Sequence, residues 1–303
     1  MAKTVRWLRK EQQEFQKIFA GLCNTRNSWQ VWFDFIECAA VEMTLPWLEK
    51  KDKDADDRLK RHDKITAGYS EHERSCLCQL FEIVVNALEE NPEQDFLGEI
   101  FMALELGNHW KGQFFTPYNI CQMMARMQCA DAKEKVEEQN WISINDPACG
   151  AGALLIAARN EMKRQDIGPR QVLFIAQDID HVAGLMCFIQ LSLLGCAGYV
   201  VIADTLCNPL IGINPLYPVK KEGQDIWFTP MFFDPVWRDR VFWEVYVPHA
   251  FVSSIRSRVA TPLPATEEAN PIGEHVPEEK PAPEGLIIPK LLESDENGQL
   301  LLF

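Results

Sequence analysis

The residues best placed to do chemistry are three aspartates and a glycine-rich turn between positions 146 and 204. The turn reads Asp146-Pro147-Ala148-Cys149-Gly150-Ala151-Gly152. Its glycines let the backbone bend sharply beneath a ligand where a side chain would clash. It lacks the third glycine of a dinucleotide fingerprint and has an acid just ahead of the bend. That acid is awkward beside a pyrophosphate but suits a ligand bearing an ammonium and a sulfonium. Asp178 closes the next apolar run, where a carboxylate can accept hydrogen bonds from ribose hydroxyls. Asp204 closes the run after that, where it can accept from an adenine amino group. Taken singly, each acid fits a helix cap equally well. Three at successive strand ends point to one ligand site.

The segments around these acids must bring them together. "WISIND", "VLFIAQD", "YVVIAD" and "DIWFT" are short apolar runs that predict strands, and "ALLIAARNEMKRQ" and "HVAGLMCFIQLSLLG" predict helices between them. Strands alternating with helices imply an α/β fold with a parallel sheet covered on both faces. Upstream, Phe15, Ile18, Phe19 and Leu22 share one helical face, and Trp29 to Ile36 continue the apolar pattern. "SCLCQLFEIVVNALEENP" and "DFLGEIFMALEL" predict two further helices, and the mixed-charge interval 50–64 a solvated helix or loop. The division expected is a helical region over 1–110, a ligand-binding α/β domain over 111–258, and a disordered Pro- and Glu-rich tail over 259–303.

Composition narrows the class. Of 303 residues 47% are hydrophobic and 24% charged, enough apolar material for a substantial core. Thirty Lys and Arg against 44 Asp and Glu give a net charge of −14, which excludes nucleic-acid binding by bulk basicity but not by a local basic cleft. From Ala260 onward there are nine acids, two lysines and seven of the 18 prolines, a composition that cannot offset its ordering entropy. Ten scattered cysteines form no CxxC pair, so they predict neither a zinc site nor a disulfide framework, but buried small side chains in a reducing compartment. No apolar run reaches a membrane span and the first residues lack a signal-peptide core; a soluble, cytoplasmic protein is expected.

Four strings in order carry a specific resemblance: "GQFFTP" (Gly112 to Pro117), "DPACGAGALL" (Asp146 to Leu155), "AQDID" (176–180) and "ADTL" (203–206). Together with the preceding "DFLGEIFMALEL", they resemble the modification (M) subunit of type I restriction–modification systems. Related N6-adenine DNA methyltransferases, which use S-adenosyl-L-methionine, share the pattern. The similarity runs over roughly residues 95 to 235. It implies a Rossmann-like methyltransferase sheet and a cofactor pocket built from Phe114, Phe115, Thr116, Asp146, Ala148, Gly150, Asp178 and Asp204. It also implies DNA as the substrate.

The sequence departs from the family at the catalytic motif. The family carries Asn/Asp-Pro-Pro-Tyr/Phe after the fourth strand, where a polar side chain and a prolyl carbonyl accept from the adenine amino group and the ring stacks on a flipped base. Here that position reads Thr229-Pro230-Met231-Phe232: Pro230 and Phe232 fit, whereas Thr229 offers only a hydroxyl. Two other strings compete, Asn208-Pro209-Leu210, inside the loop after Asp204, and Asn214-Pro215-Leu216-Tyr217. Position favours Thr229, Pro230 and Phe232; chemistry favours Asn214, Pro215 and Tyr217.

No later segment is long enough for a target-recognition domain, and in type I systems a separate specificity subunit supplies recognition. Arg238, Arg240, Arg256 and Arg258 fit either phosphate contacts or plain solubility. The string Gln299-Leu300-Leu301-Leu302-Phe303 resembles the peptide by which bacterial replication and repair proteins bind the DNA polymerase sliding clamp. The resemblance assigns Gln299 to the pocket rim, with Leu300, Leu302 and Phe303 as the apolar contacts, and a tether there would raise local concentration on DNA. The alternative is that these residues fold back on the body. The leading expectation is an adenine-specific DNA methyltransferase. A non-methylating regulatory or anti-restriction relative and a protein or RNA methyltransferase are the alternatives.

Overall fold

In the computed structural model the described residues are 9–47, 53–104, 106, 115–210, 214–246, 293–294 and 300–301. Gln299, Leu302, Phe303 and most of the 259–303 tail fall outside them, as do Gly112 to Phe114, Arg256 and Arg258.

Four helices open the chain: α1 (Lys10–Leu22), α2 (Ser28–Thr44), α3 (Lys53–Ala67) and α4 (Glu71–Glu90). Each has a local reason to start or to face inward. α1 buries Phe15, Phe19 and Leu22 at i, i+4 and i+7. Asn27 caps α2 by accepting from the Trp29 amide at 2.9 Å. Ser70 and Glu73 form a reciprocal capping box at the start of α4. The mixed-charge interval after residue 50 is helical in α3. Its Arg58 is buried, lies 3.8 Å over the Trp227 ring and donates to the Ile226 carbonyl at 2.7 Å. A salt-bridged guanidinium thereby seals the outer edge of the sheet.

α5 (Phe96–Ala103), α6 (Tyr118–Gln128) and α7 (Ala132–Gln139) lead into the sheet, which contains β1 (Ile142–Asp146), β2 (Val172–Asp178), β3 (Ala197–Ile202) and β4 (Asp225–Phe228) in that spatial order. α8 (Ala153–Arg164) and α9 (His181–Leu193) connect β1 to β2 and β2 to β3. Those three strands are parallel, with Asp146 opposite Ala176 and Asp178 opposite Ile202. The two helical crossovers carry the chain back to the start of each next strand, as parallel pairing requires.

β4 corrects the expectation of an all-parallel sheet: it runs antiparallel to β3, with Tyr199 opposite Phe228 and Ile202 opposite Asp225. The connection over 203–224 contains no helix among its described residues, so the chain returns directly alongside β3. A 3-10 turn at Pro230–Phe233 and helix α10 (Pro235–Tyr246) follow.

The two sheet faces have separate cores. One is continuous from Phe15 through α9 to Trp227, so the helical region and the sheet share a single apolar interior. Buried Glu37 on α2 accepts from Arg61 at 2.8 Å and pairs with His181 at 2.6 Å, fastening α2 and α3 to the start of α9. The other face holds Leu173, Ile175, Tyr199 and Val201 beneath Leu216, Phe232, Trp237 and Val241. Arg240 belongs to this second assembly: it lies 4.3 Å over Trp237 and donates to the Arg170 carbonyl at 2.6 Å. Residues 293–294 and 300–301 form a separate two-stranded pair, β5 and β6.

Candidate functional site

The carboxyl ends of β1, β2 and β3 converge on the turn after β1. Asp146 ends β1 and its Oδ1 accepts from the Ala148 amide at 3.1 Å. Asp178 ends β2; its Oδ2 accepts from the Gly150 amide at 2.8 Å and its Oδ1 from the Asp180 amide at 2.9 Å. The Cys149 amide donates to the Gln177 carbonyl at 3.0 Å, and the Thr205 hydroxyl to the Pro147 carbonyl at 2.5 Å. Three strand ends thus hold one loop. Asp204 lies two residues past β3, where its Oδ1 accepts from the Leu206 and Cys207 amides at 2.8 and 3.1 Å. The cap of α9 is Asp180 rather than Asp178, with its side chain accepting from Ala183.

The glycines are required by shape. Gly150 has φ +54° and Gly152 φ +95°, a region L side chains rarely enter. A Cβ on Gly150 would come within 3.0 Å of the Phe115 ring, and one on Gly152 within 2.9 Å of Cys187 Sγ. Phe115 in turn packs on Phe101 with ring centroids 5.5 Å apart, which connects "GQFFTP" through α5 to the glycine turn. Thr116 is partly exposed beside it, and Phe114 lies outside the described residues. An open cleft of about 460 Å³ lies on the α1 and α5 side of Phe115, lined by Gln12, Asp95, Glu99, Thr116 and Tyr118 among others.

The electrostatics differ among the three acids. Burial pushes the Asp146 carboxyl above the ordinary range, and the charge of Asp178 adds to that. Burial also raises Asp178, against the pull of its amide donors. The Cys207 and Leu206 amides hold Asp204 below its ordinary value. Asp146 and Asp178 therefore resist ionising together, and a cation beside them relieves both.

Two residues that the sequence reading passed over stand next to these acids. Ile179 is 69% exposed and Leu206 92% exposed, large apolar side chains in solvent at two strand ends. Their signal is position: each follows an acid of the series by one or two residues, where a flat apolar ring is the natural partner.

The catalytic candidates separate. Thr229 follows an antiparallel strand and so sits opposite Gly198 at the amino end of β3, roughly 20 Å along the strand from Asp204 at about 3.3 Å per residue. It is fully buried. Its hydroxyl donates to the Cys196 carbonyl at 2.7 Å and accepts from the Gly198 amide at 3.0 Å, so it is fully engaged by backbone. Pro230 opens the 3-10 turn there, and Phe232 is buried edge-on against Tyr199. Thr229, Pro230 and Phe232 thus lie at the opposite end of β3 from Asp204.

Asn214 is engaged locally as well, accepting from the Leu216 amide at 3.0 Å and donating to Glu244 at 3.3 Å. The Pro215 carbonyl receives the Tyr199 hydroxyl at 2.9 Å, and Tyr217 packs against the second core. Asn208 and Pro209 lie instead at the carboxyl edge: the Asn208 amide donates to the Asp204 carbonyl at 2.7 Å, and Gln177 Nε2 reaches the Asn208 carbonyl at 3.1 Å.

A span that opens at Asp95, the cap of α5, and closes at Val241 in α10 matches the model of the N-6 DNA methylase family, over residues 95–241. That span, just under half of the chain, is similar to an N-6 DNA methylase domain. Comparison with curated proteins returns no match. The matched span includes α5, Phe115, the glycine turn, all three acids and β4, and it shares its first core with helices α1 to α4 outside it. Among the described residues no helix is long and apolar enough to cross a membrane.

Proposed function

We propose that this chain is an S-adenosylmethionine-dependent DNA methyltransferase acting on adenine N6. The observation that carries the reading is the Asp178–Gly150 hydrogen bond beside Phe115, because it joins the end of β2 to the glycine turn and to the Phe115 ring within the span matched by the methylase model. The donor set fits the cofactor. Asp146 and Asp178 offer negative charge to its ammonium and sulfonium end and to its ribose, Asp204 offers an acceptor to its adenine, and Ile179 and Leu206 offer apolar surface. Phe115, Thr116, Ala148 and Gly150 would complete the site, and Phe114 is assigned to it by the resemblance alone. The cofactor supplies a methyl group on a sulfonium; the chain must hold the target amine and accept its hydrogens. With Thr229 at the far end of the sheet, that role falls to the Asn208 side-chain oxygen and the Pro209 carbonyl, which would exchange their present donors, Gln224 Nε2 and Lys221 Nζ, for the target amine.

The experiment is transfer of labelled methyl groups to unmethylated bacterial DNA, with nucleoside digestion of the product. N6-methyladenine from the wild type, abolished by Asn208→Ala and retained by Thr229→Val, is the expected result. Cofactor binding without transfer supports a second reading, a regulatory relative that binds the cofactor and does not methylate. The sequestered Thr229 hydroxyl is the observation that favours it.

Partners belong to the same proposal. DNA is the substrate, and a separate specificity subunit would read the target. The Gln299–Phe303 string would dock on the sliding clamp through Gln299, Leu300, Leu302 and Phe303. Unchanged clamp affinity after deletion of 299–303 would remove that partner.

A further inference from the structure

Gln190 lies in the middle of α9, outside every motif that carried the sequence reading, and is fully buried. Its carboxamide crosses to two other elements. Nε2 donates to Asp95 Oδ1 at 2.8 Å and to the Ala151 carbonyl at 2.9 Å, while Oε1 accepts from the Leu97 amide at 3.1 Å. Leu97 lies in the first turn of α5, where amides have no partner within the helix. Asp95 caps the same helix, its Oδ1 also accepting from the Gly98 amide at 2.9 Å. One buried amide therefore binds the α5 N-terminus with one hand and the glycine turn with the other.

Those two elements meet at Phe115, which packs on Phe101 of α5 and against Gly150 of the turn. α5 leads to Phe115, whose ring closes on Gly150, and Ala151 stands between the two glycines that hold left-handed backbone. A carbonyl pinned at Ala151 fixes the direction of the Ala151–Gly152 peptide, between the two left-handed glycines. A helix pinned at Asp95 and Leu97 fixes the approach of Phe115.

We propose that Gln190 is a positioning residue for the cofactor loop, setting the separation between the glycine turn and the Phe115 wall. The inference rests on the cofactor reading of the pocket for its affinity readout, and has a readout of its own in the loop amides. Gln190→Met keeps the volume and removes all three hydrogen bonds. The expected result is a tenfold or greater rise in the Kd and KM for S-adenosylmethionine with kcat within about twofold. In the cofactor-free protein, hydrogen exchange at Cys149 to Ala153 is also faster.

A second variant separates positioning from simple support. In the double substitution Asp95→Asn/Gln190→Glu, the amide introduced at position 95 can donate to the carboxylate introduced at position 190. Ionised, that carboxylate restores the link to α5 and offers the Ala151 carbonyl no donor, whereas its protonated form would donate to Ala151, so the comparison is made in alkaline buffer, at about pH 8.5. Thermal stability then recovers toward wild type but cofactor affinity does not. Recovery of both together, or a Kd and loop exchange unchanged in Gln190→Met, overturns the proposal. If the wild type binds no cofactor, the pocket reading fails by itself and loop exchange alone decides the role of Gln190.

Discussion

Phe115 and Gly150 are in such close register that a single added methyl group would push the ring aside: a Cβ on Gly150 would lie 3.0 Å from it. The position also demands φ +54°, so an L side chain is penalised twice, in contact and in backbone conformation. Gly150→Ala should cost about 1–2 kcal/mol of stability from the backbone alone and raise the cofactor Kd at least tenfold. Phe115→Leu relieves the contact but removes the flat wall. The double variant should regain part of the lost stability and none of the affinity, as read by thermal unfolding beside calorimetric titration.

Asp146 and Asp178 set a pH dependence for binding. Both have carboxyl pKa values raised above the ordinary range, mainly by burial. A cationic ligand favours their ionised forms, so its binding releases protons and its affinity falls as pH drops through the raised values. Cofactor affinity should therefore weaken on acidification, and do so at a higher pH than ordinary carboxylates would require, and calorimetry in buffers of different ionisation heat should report proton release where affinity falls. Asp178→Asn should flatten that dependence while weakening affinity throughout. An affinity that strengthens on acidification would contradict the assignment.

Thr229 should behave as a structural residue. Valine matches its shape but leaves the Cys196 carbonyl and the Gly198 amide without their hydroxyl partner. The cost of such a change is about 1–3 kcal/mol, with methyl transfer per folded molecule unchanged. Asn208→Ala should show the opposite pattern, an unfolding midpoint close to wild type and a loss of transfer of a hundredfold or more. Parallel denaturation and single-turnover assays distinguish the two. Loss of transfer in Thr229→Val without loss of stability would return the catalytic role to the 229–232 string.

Much of the fold was legible because local pattern and tertiary structure agree. "VLFIAQD" is β2 from Val172 to Asp178, and the helix read from Ala153 is α8. The direction of β4 was not legible. Its four residues suit a parallel or an antiparallel strand equally, and only the absence of a crossover helix decides between them. That one reversal moved Thr229 away from the acids and left Asn208 near them. Within the site, the acids and glycines showed through their spacing. Gln190 did not, because an amide on an otherwise apolar helix becomes informative only when its partners, Asp95 and Ala151, are seen beside it.

Asp95 carries the last test, of stability against pH. Its carboxyl is completely enclosed, and burial raises its pKa to about 6, with the nearby Glu99 carboxylate adding to the effect against the Gln190 and Gly98 donors. Glu99 is itself paired with Arg9. In the unfolded chain Asp95 titrates at about 3.9. Between these values the folded state keeps a proton that the unfolded state has lost, so the contribution of Asp95 is largest in acid and is lost as pH rises through its folded pKa. The size follows from the shift: stability from this group should be about 1–2 kcal/mol greater at pH 5 than at pH 7. Asp95→Asn keeps a side-chain oxygen for the α5 cap and cannot titrate. Other carboxylates are common to both proteins and cancel in the comparison. The difference in unfolding free energy, wild type minus Asp95→Asn, should therefore rise as pH falls from 7 to 5. A difference that is flat, or that rises toward neutral pH, would show that Asp95 is ionised at no cost within the Gln190 contact.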